Sequence, residues 1–259
     1  LRRVHLDFNI NPWKKKKIFD LGDVALPHAN NNEKCIEDIT NFYKKIAKEK
    51  KPVVSIGGDH SITGGILQGL GSENLKMTKG KKISFLHIDA HTDTFSQLDH
   101  FMGAKKSAAH WGAYLVDQGI IDPHKSMQIG MRGNPRTLDW LQPSYDLGYN
   151  VVTMDEFKER GIKDVINETL EKIGDNPIYI TFDLDSLDAS VAPAVSNIEP
   201  GFTGFTIDEA KELIQAVKNK NVIGGDVVCL MPTKDQKNNI TSMVAASIMF
   251  EIISVIAYN

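Results

Sequence analysis

Short apolar runs rich in β-branched residues recur along the chain at Pro52 to Ile56, Ile83 to Ile88, Met127 to Met131, Asn150 to Thr153, Ile178 to Phe182 and Val222 to Leu230. They are continuous rather than alternating, the pattern of strands covered on both faces. Between most of them lie segments with helical spacing: Glu33 to Lys50, Ile62 to Leu70, Ile162 to Ile173, Ile207 to Val217 and Thr241 to Ile256. Strands alternating with amphipathic helices predict an α/β fold, a parallel sheet with helices on both faces, as one domain over residues 1–259. Thr206 followed by Glu209 marks a capped helix start, and Asn134-Pro135 predicts another, with proline in the first turn. The long stretch from Asp185 to Thr206, with Pro193, Pro200, Gly201 and Gly204, is expected to be a site-building loop.

With 259 residues the chain can bury a sizeable core. Its charges are mixed in sign and its net charge is −3, so no basic footprint for nucleic acid stands out and a small substrate is expected. Cys35 and Cys229 alone give no disulfide framework and fit a reducing compartment. No apolar run is expected to reach the roughly 18 residues of a membrane span, and no secretory leader precedes Val4, so the expected location is cytoplasmic. Leu1 in place of an initiator methionine and the abrupt basic run Lys14 to Lys17 point to a natural start that lies elsewhere, which weakens the argument from a missing leader.

Three segments carry chemistry, each where an apolar strand gives way to a loop: Gly57-Gly58-Asp59-His60-Ser61, His87-Ile88-Asp89-Ala90-His91-Thr92-Asp93 and Phe182-Asp183-Leu184-Asp185-Ser186-Leu187-Asp188. Alternate side chains of extended backbone point the same way, so Asp89, His91 and Asp93 can converge just beyond one strand. Asp183 and Asp185 repeat that geometry on a second strand, and His60 adds an imidazole from a third. An isolated Asp or His at a strand end is more often a turn former or cap. Three such clusters are not, because buried carboxylates this close repel one another without a cation. Four carboxylates and two imidazoles make an oxygen and nitrogen shell without thiolate, suited to Mn²⁺ and tolerant of Fe²⁺, Co²⁺ or Ni²⁺.

These three segments closely resemble the signatures of the ureohydrolases, the family of arginase, agmatinase, guanidinobutyrase and related guanidino hydrolases. The resemblance runs from about Val53 to Ile256 and includes Gly224-Gly225-Asp226-Val227-Val228. It implies a three-layer α/β/α sandwich with a mostly parallel sheet, a trimer or hexamer, and two divalent ions. One ion would be held by His60 and Asp93 and the other by His91 and Asp185, with Asp89 and Asp183 bridging. It further implies hydrolysis of a C–N bond in a small guanidino compound such as agmatine, guanidine or a guanidino acid, releasing urea. In that reaction Asp93 orients the nucleophile and His110, in Ala109-His110-Trp111-Gly112, moves protons.

Relatives generally place a Glu where Cys229 stands, and that carboxylate pairs with the guanidinium. Cysteine offers no bidentate anion unless ionised. Either Glu199 or Asp226 takes over the contact, or the substrate is smaller or differently substituted than agmatine; alternatively Cys229 is a small buried apolar residue. Asn197 and Glu199 are candidates for the substrate's tail, and Met102, Trp111 and Tyr114 for the entrance. His5, His28, His87, His100 and His124 are read as structural or solvent-facing. Three rival readings are a formimino or amidine hydrolase such as formiminoglutamase, a non-catalytic partner subunit of a ureohydrolase assembly, and a single-zinc deacetylase of similar architecture.

Overall fold

The computed structural model describes residues 3–71, 78–98 and 103–259. Six strands, β1 (Val53–Ile56), β2 (Ser84–Ile88), β3 (Met127–Met131), β4 (Asn150–Thr153), β5 (Ile178–Asp183) and β6 (Val222–Val228), form one sheet in the order β1-β6-β5-β2-β3-β4. All five pairings are parallel. The helices are α1 (Pro12–Lys15), α2 (Asn32–Ala47), α3 (Ser61–Leu70), α4 (Trp111–Asp117), α5 (Gln142–Leu147), α6 (Met154–Arg160), α7 (Ile162–Ile173), α8 (Ile207–Ala216) and α9 (Ile240–Tyr258).

Alternation along the strands divides the core into two layers. Phe85 of β2 and Tyr179 of β5 pack with Ile36 and Ile39 of α2, Leu67 of α3 and Trp111 of α4. Leu86, Ile88, Ile178 and Ile180 face the other way, into Phe157 of α6, Val165 of α7, Leu213 of α8 and Ile248 and Ile252 of α9. The result is the expected α/β/α sandwich. Because every strand runs the same way, the loops after β1, β2, β5 and β6 all emerge at one edge, and this edge carries His60, Asp89, Asp183 and Cys229.

All six apolar runs become strands. Thr206 caps α8 through the anticipated box with Glu209. A second box, Thr153 with Glu156, starts α6, a helix the spacing pattern had not indicated. Asn134-Pro135 begins no helix; the chain passes through bends and turns, and the next helix starts at Gln142, with Pro143 in its first turn. The expectation that no apolar run reaches membrane length fails at α9, whose 19 residues are apolar enough to cross a bilayer by length and composition. Ile248, Ile252 and Val255 are fully buried, and Glu251 is held by His5 Nε2 at 2.7 Å, so this helix is read as part of the core.

Gly130 sits at a shift in register between β3 and β4 with φ +108°, and a Cβ there would stand 2.5 Å from the Phe205 ring and 2.8 Å from the carbonyl of Asp89. Phe205 in turn packs edge-on against Phe157, with centroids 4.9 Å apart, and is fully buried. Phe205→Ala is expected to lower the unfolding free energy by about 3–5 kcal/mol in denaturant titration, and a loss under about 1 kcal/mol would contradict this packing account.

Candidate metal centre

One layer below the edge, a polar row crosses the sheet. Ser55 pairs in register with Asp226, Asp226 with Thr181, Thr181 with His87, and His87 with Gln128, so five parallel strands each place one polar side chain in the row. Directly beyond it the six residues singled out by their spacing come together. His60 Nδ1 lies 2.8 Å from Asp89 Oδ2, 3.0 Å from Asp93 Oδ2 and 3.2 Å from Asp183 Oδ2. His91 Nδ1 lies 3.4 Å from Asp89 Oδ1 and 3.3 Å from Asp185 Oδ2. The two oxygens of Asp89 therefore face different imidazoles.

Apart from His91, these residues are buried, with His60 only 1 % and Asp89 0 % exposed. Burial works against charge on His60, yet Asp183, Asp89 and Asp93 outweigh it and lift its pKa well above the ordinary histidine range. Burial would likewise raise Asp89, but His60 and His87 hold it well below the usual carboxylate range. Asp185 is pushed well up by burial, and then by Asp183 and Asp89. The cluster is thus short of positive charge.

A divalent cation fits that deficit. Three carboxylate oxygens surround His60 Nδ1, but none lies in line with it, and this buried nitrogen makes no hydrogen bond. Around a small octahedral cation with bonds of ~2.1 Å, neighbouring donor atoms stand ~3 Å apart, as these do. Donor atoms of His60, His87, Asp89 and Asp93 form one compact group, and those of Asp89, His91 and Asp185 a second that shares Asp89 with it.

An Arginase-family model matches residues 1–254. The chain belongs to the arginase family. This arginase-family chain is 33% identical over 242 residues to the mitochondrial guanidino acid hydrolase of Homo sapiens, covering 93% of the chain and 65% of that protein. It is 31% identical over 256 residues to the mitochondrial agmatinase of Gallus gallus, covering 99% and 72%. The chain thus spans about two thirds to three quarters of the length of these relatives. Among solved structures it superposes on proclavaminate amidino hydrolase from Streptomyces clavuligerus with a TM-score of 0.87 at 28% identity, covering 100% of this chain and 81% of that one.

Around the six clustered residues, several side chains take places the spacing did not indicate. Trp111, expected at the entrance, is fully buried; its Nε1 donates to Asp93 Oδ2 at 2.9 Å, and its ring packs 4.9 Å from that of His60. Gly112 follows because a Cβ there would press on the Asp93 carbonyl at 3.0 Å. Tyr114 packs onto α3, where a Cβ on Gly64 would overlap its hydroxyl. Met102 and His100 lie outside the described residues. Asp226, weighed as a guanidinium partner, is fully buried and takes hydroxyl donors from Thr63, Tyr179 and Thr181, so it cannot meet substrate. Glu199, weighed for the same task, accepts from His91 Nε2 at 3.1 Å and from the Asn134 backbone, and these bonds hold its pKa low. Asn197 is exposed on the same loop.

His87 is the largest surprise. Gln128 Nε2 donates to the Thr92 carbonyl at 2.6 Å and to His87 Nδ1 at 3.1 Å, which leaves His87 Nε2–H to donate to Asp89 Oδ2 at 2.8 Å. Arg132 is buried too, with its guanidinium on the carbonyls of Asp185, Ser186 and Leu187, pinning the loop behind Asp183. His110 caps α4, accepting from Ser107 Oγ at Nδ1 (2.8 Å) and donating from Nε2 to the Leu98 carbonyl (2.6 Å). It lines a cavity of about 310 Å³ with Ser96, Leu98 and Lys105. Cys229, at φ +68°, donates its backbone N–H to the Gly58 carbonyl. Its thiol faces Asp183 and Ser196, and burial, then Asp183 and Asp185, push its pKa well up. Asp93 also has positive φ, +53°. Two non-glycine residues in this conformation, at a cost of order 1 kcal/mol each, concentrate strain at the cluster.

A cluster of carboxylates this tight is expected to depend on cations for stability. Stripping divalent ions with a chelator should lower the Tm, and Mn²⁺ at 100-fold its Kd should restore about 2.7 kcal/mol. A Tm indifferent to both treatments would count against cation binding here.

Proposed function

We propose that this chain is a binuclear-metal hydrolase that cleaves a C–N bond of a small guanidino compound, agmatine, guanidine or a guanidino acid, and releases urea. The observation that carries the reading is Asp89, whose Oδ2 stands 2.8 Å from one imidazole and whose Oδ1 stands 3.4 Å from another, in a buried carboxylate cluster of an arginase-family chain. His60 and Asp93 would hold one ion, His91 and Asp185 the other, with Asp89 and Asp183 shared. The ions are Mn²⁺, with Ni²⁺ as the alternative, in keeping with an oxygen and nitrogen donor set that lacks thiolate.

Bound there, two such cations lower the pKa of a water toward neutrality and act as Lewis acids. The chain's own groups do the rest. The carboxylates draw in the cationic guanidinium and favour charge at its planar carbon. Asp93, held by Trp111 Nε1, orients the attacking water. Water oxygen adds to the guanidinium carbon and gives up a proton to Asp93, the C–N bond breaks, and that proton passes by way of His110 to the departing nitrogen, which leaves as the amine, or as ammonia when the substrate is guanidine itself. In the structure the Ser107 hydroxyl and the Leu98 carbonyl occupy both ring nitrogens of His110, so this role requires Nε2 to let go of the Leu98 carbonyl. Asn197 and the neutral Cys229 meet the substrate's far end. Two free cysteines are in keeping with a reducing, cytoplasmic compartment. Assembly into a homo-trimer or hexamer belongs to the same proposal, in keeping with the family resemblance.

The purified chain loaded with Mn²⁺ or Ni²⁺ should release urea from at least one of agmatine, guanidine, guanidinobutyrate, guanidinopropionate and arginine; silence across the panel contradicts the reading. Asp183→Ala should reduce turnover by about 10²-fold or more together with bound metal, and undiminished turnover would break the proposed chemistry. Cys229→Glu should move preference toward agmatine, and an unaltered substrate profile would take Cys229 out of the pocket.

A further inference from the structure

Asp226 is a fully buried carboxylate that takes no part in the chemistry above. Its Oδ2 accepts from Thr63 Oγ1 and from the Tyr179 hydroxyl, both at 2.8 Å, and its Oδ1 accepts from Thr181 Oγ1 at 2.7 Å. A threonine hydroxyl has one proton, and that of Thr181 goes to Asp226. Toward His60 Nε2, 2.8 Å away, Thr181 therefore presents a lone pair. His60 must donate from Nε2, and a neutral ring that carries its proton there has its free pair on Nδ1. Nδ1 is the atom ringed by Asp89, Asp93 and Asp183. The register that sets Asp226 opposite Thr181 builds this chain into the sheet itself.

Building on the binuclear reading, we propose that Asp226 and Thr181 are positioning residues, a hydroxyl relay that locks His60 in the Nε2–H tautomer so that Nδ1 can bind a divalent cation. Neither touches the substrate or the cation. They act through which nitrogen of His60 keeps its proton.

Asp226→Asn should run the relay backwards. The two donors at Oδ2 select the amide oxygen, the amide N–H then faces Thr181, and the Thr181 proton turns toward His60 Nε2. A neutral His60 is left with its proton on Nδ1, blocking the ion. Thr181→Val keeps the shape and deletes the relay, whereas Thr181→Ser keeps the hydroxyl.

The test is an Mn²⁺ titration of each intact variant, read from the electron paramagnetic resonance signal of free Mn²⁺, with a thermal melt to establish folding. Wild type should take up two ions. In Asp226→Asn and Thr181→Val one stepwise affinity should fall by about tenfold or more while the other stays within about threefold, and Thr181→Ser should bind like wild type. If Asp226→Asn does not fold, the Thr181 pair decides. The proposal is overturned if folded Asp226→Asn and Thr181→Val titrate like wild type, or if Thr181→Ser loses as much as Thr181→Val, which would mark a packing effect. Wild type that binds both ions and releases no urea sinks the hydrolase reading and leaves the relay standing. Wild type that binds no ion sinks both.

Discussion

Four aspartates within contact distance of two imidazoles, in a place nearly closed to water, are the constraint on which this molecule turns. At such separations like charges repel by several kcal/mol even when partly screened by the protein, and desolvation adds to the cost of each ionised group. His60 is displaced upward and Asp89 downward from their ordinary titration ranges, each favouring the charge that the other attracts. Asp185, pushed upward by burial and by its neighbours, shows that the relief is incomplete. Divalent cations would complete it, and the donor geometry around the unpaired His60 Nδ1 has the spacing they need.

The fold meets this constraint with rigid elements. An all-parallel sheet sends its loops to one edge, and the helices on both faces exclude water from the layer below. There a row of polar residues does for the ligands what apolar packing cannot: it fixes direction. Gln128 orients His87, which donates to one oxygen of Asp89, while the His91 backbone N–H donates to the other at 2.7 Å. Trp111 steadies Asp93, Glu199 steadies His91, and Arg132 ties down the loop that carries Asp183 and Asp185.

The strands and the six clustered residues were legible in sequence because both obey a local rule: continuous apolar runs for buried strands, and alternate spacing for side chains that point one way. The supporting residues obey no local rule. A lone histidine inside an apolar run, as His87 is, reads as core, and only strand register places it between Thr181 and Gln128. Glu199 meets His91 from 108 positions away, and Trp111 reads equally well as an entrance residue or as core. Asn134-Pro135 carried a helix-start signal that the chain does not use. Thr153 with Glu156 carried one as clear as that of Thr206 and was missed because α6 is too short to show helical periodicity.

The account stands or falls on two cations side by side at this edge, bridged by aspartate. Crystals grown in Mn²⁺ and measured at the manganese absorption edge should give two anomalous peaks ~3.5–4 Å apart, one on His60 Nδ1 and the other on His91 Nδ1, with Asp89 and Asp183 touching both. A single peak, or a His60 ring turned to offer Nε2, would contradict it.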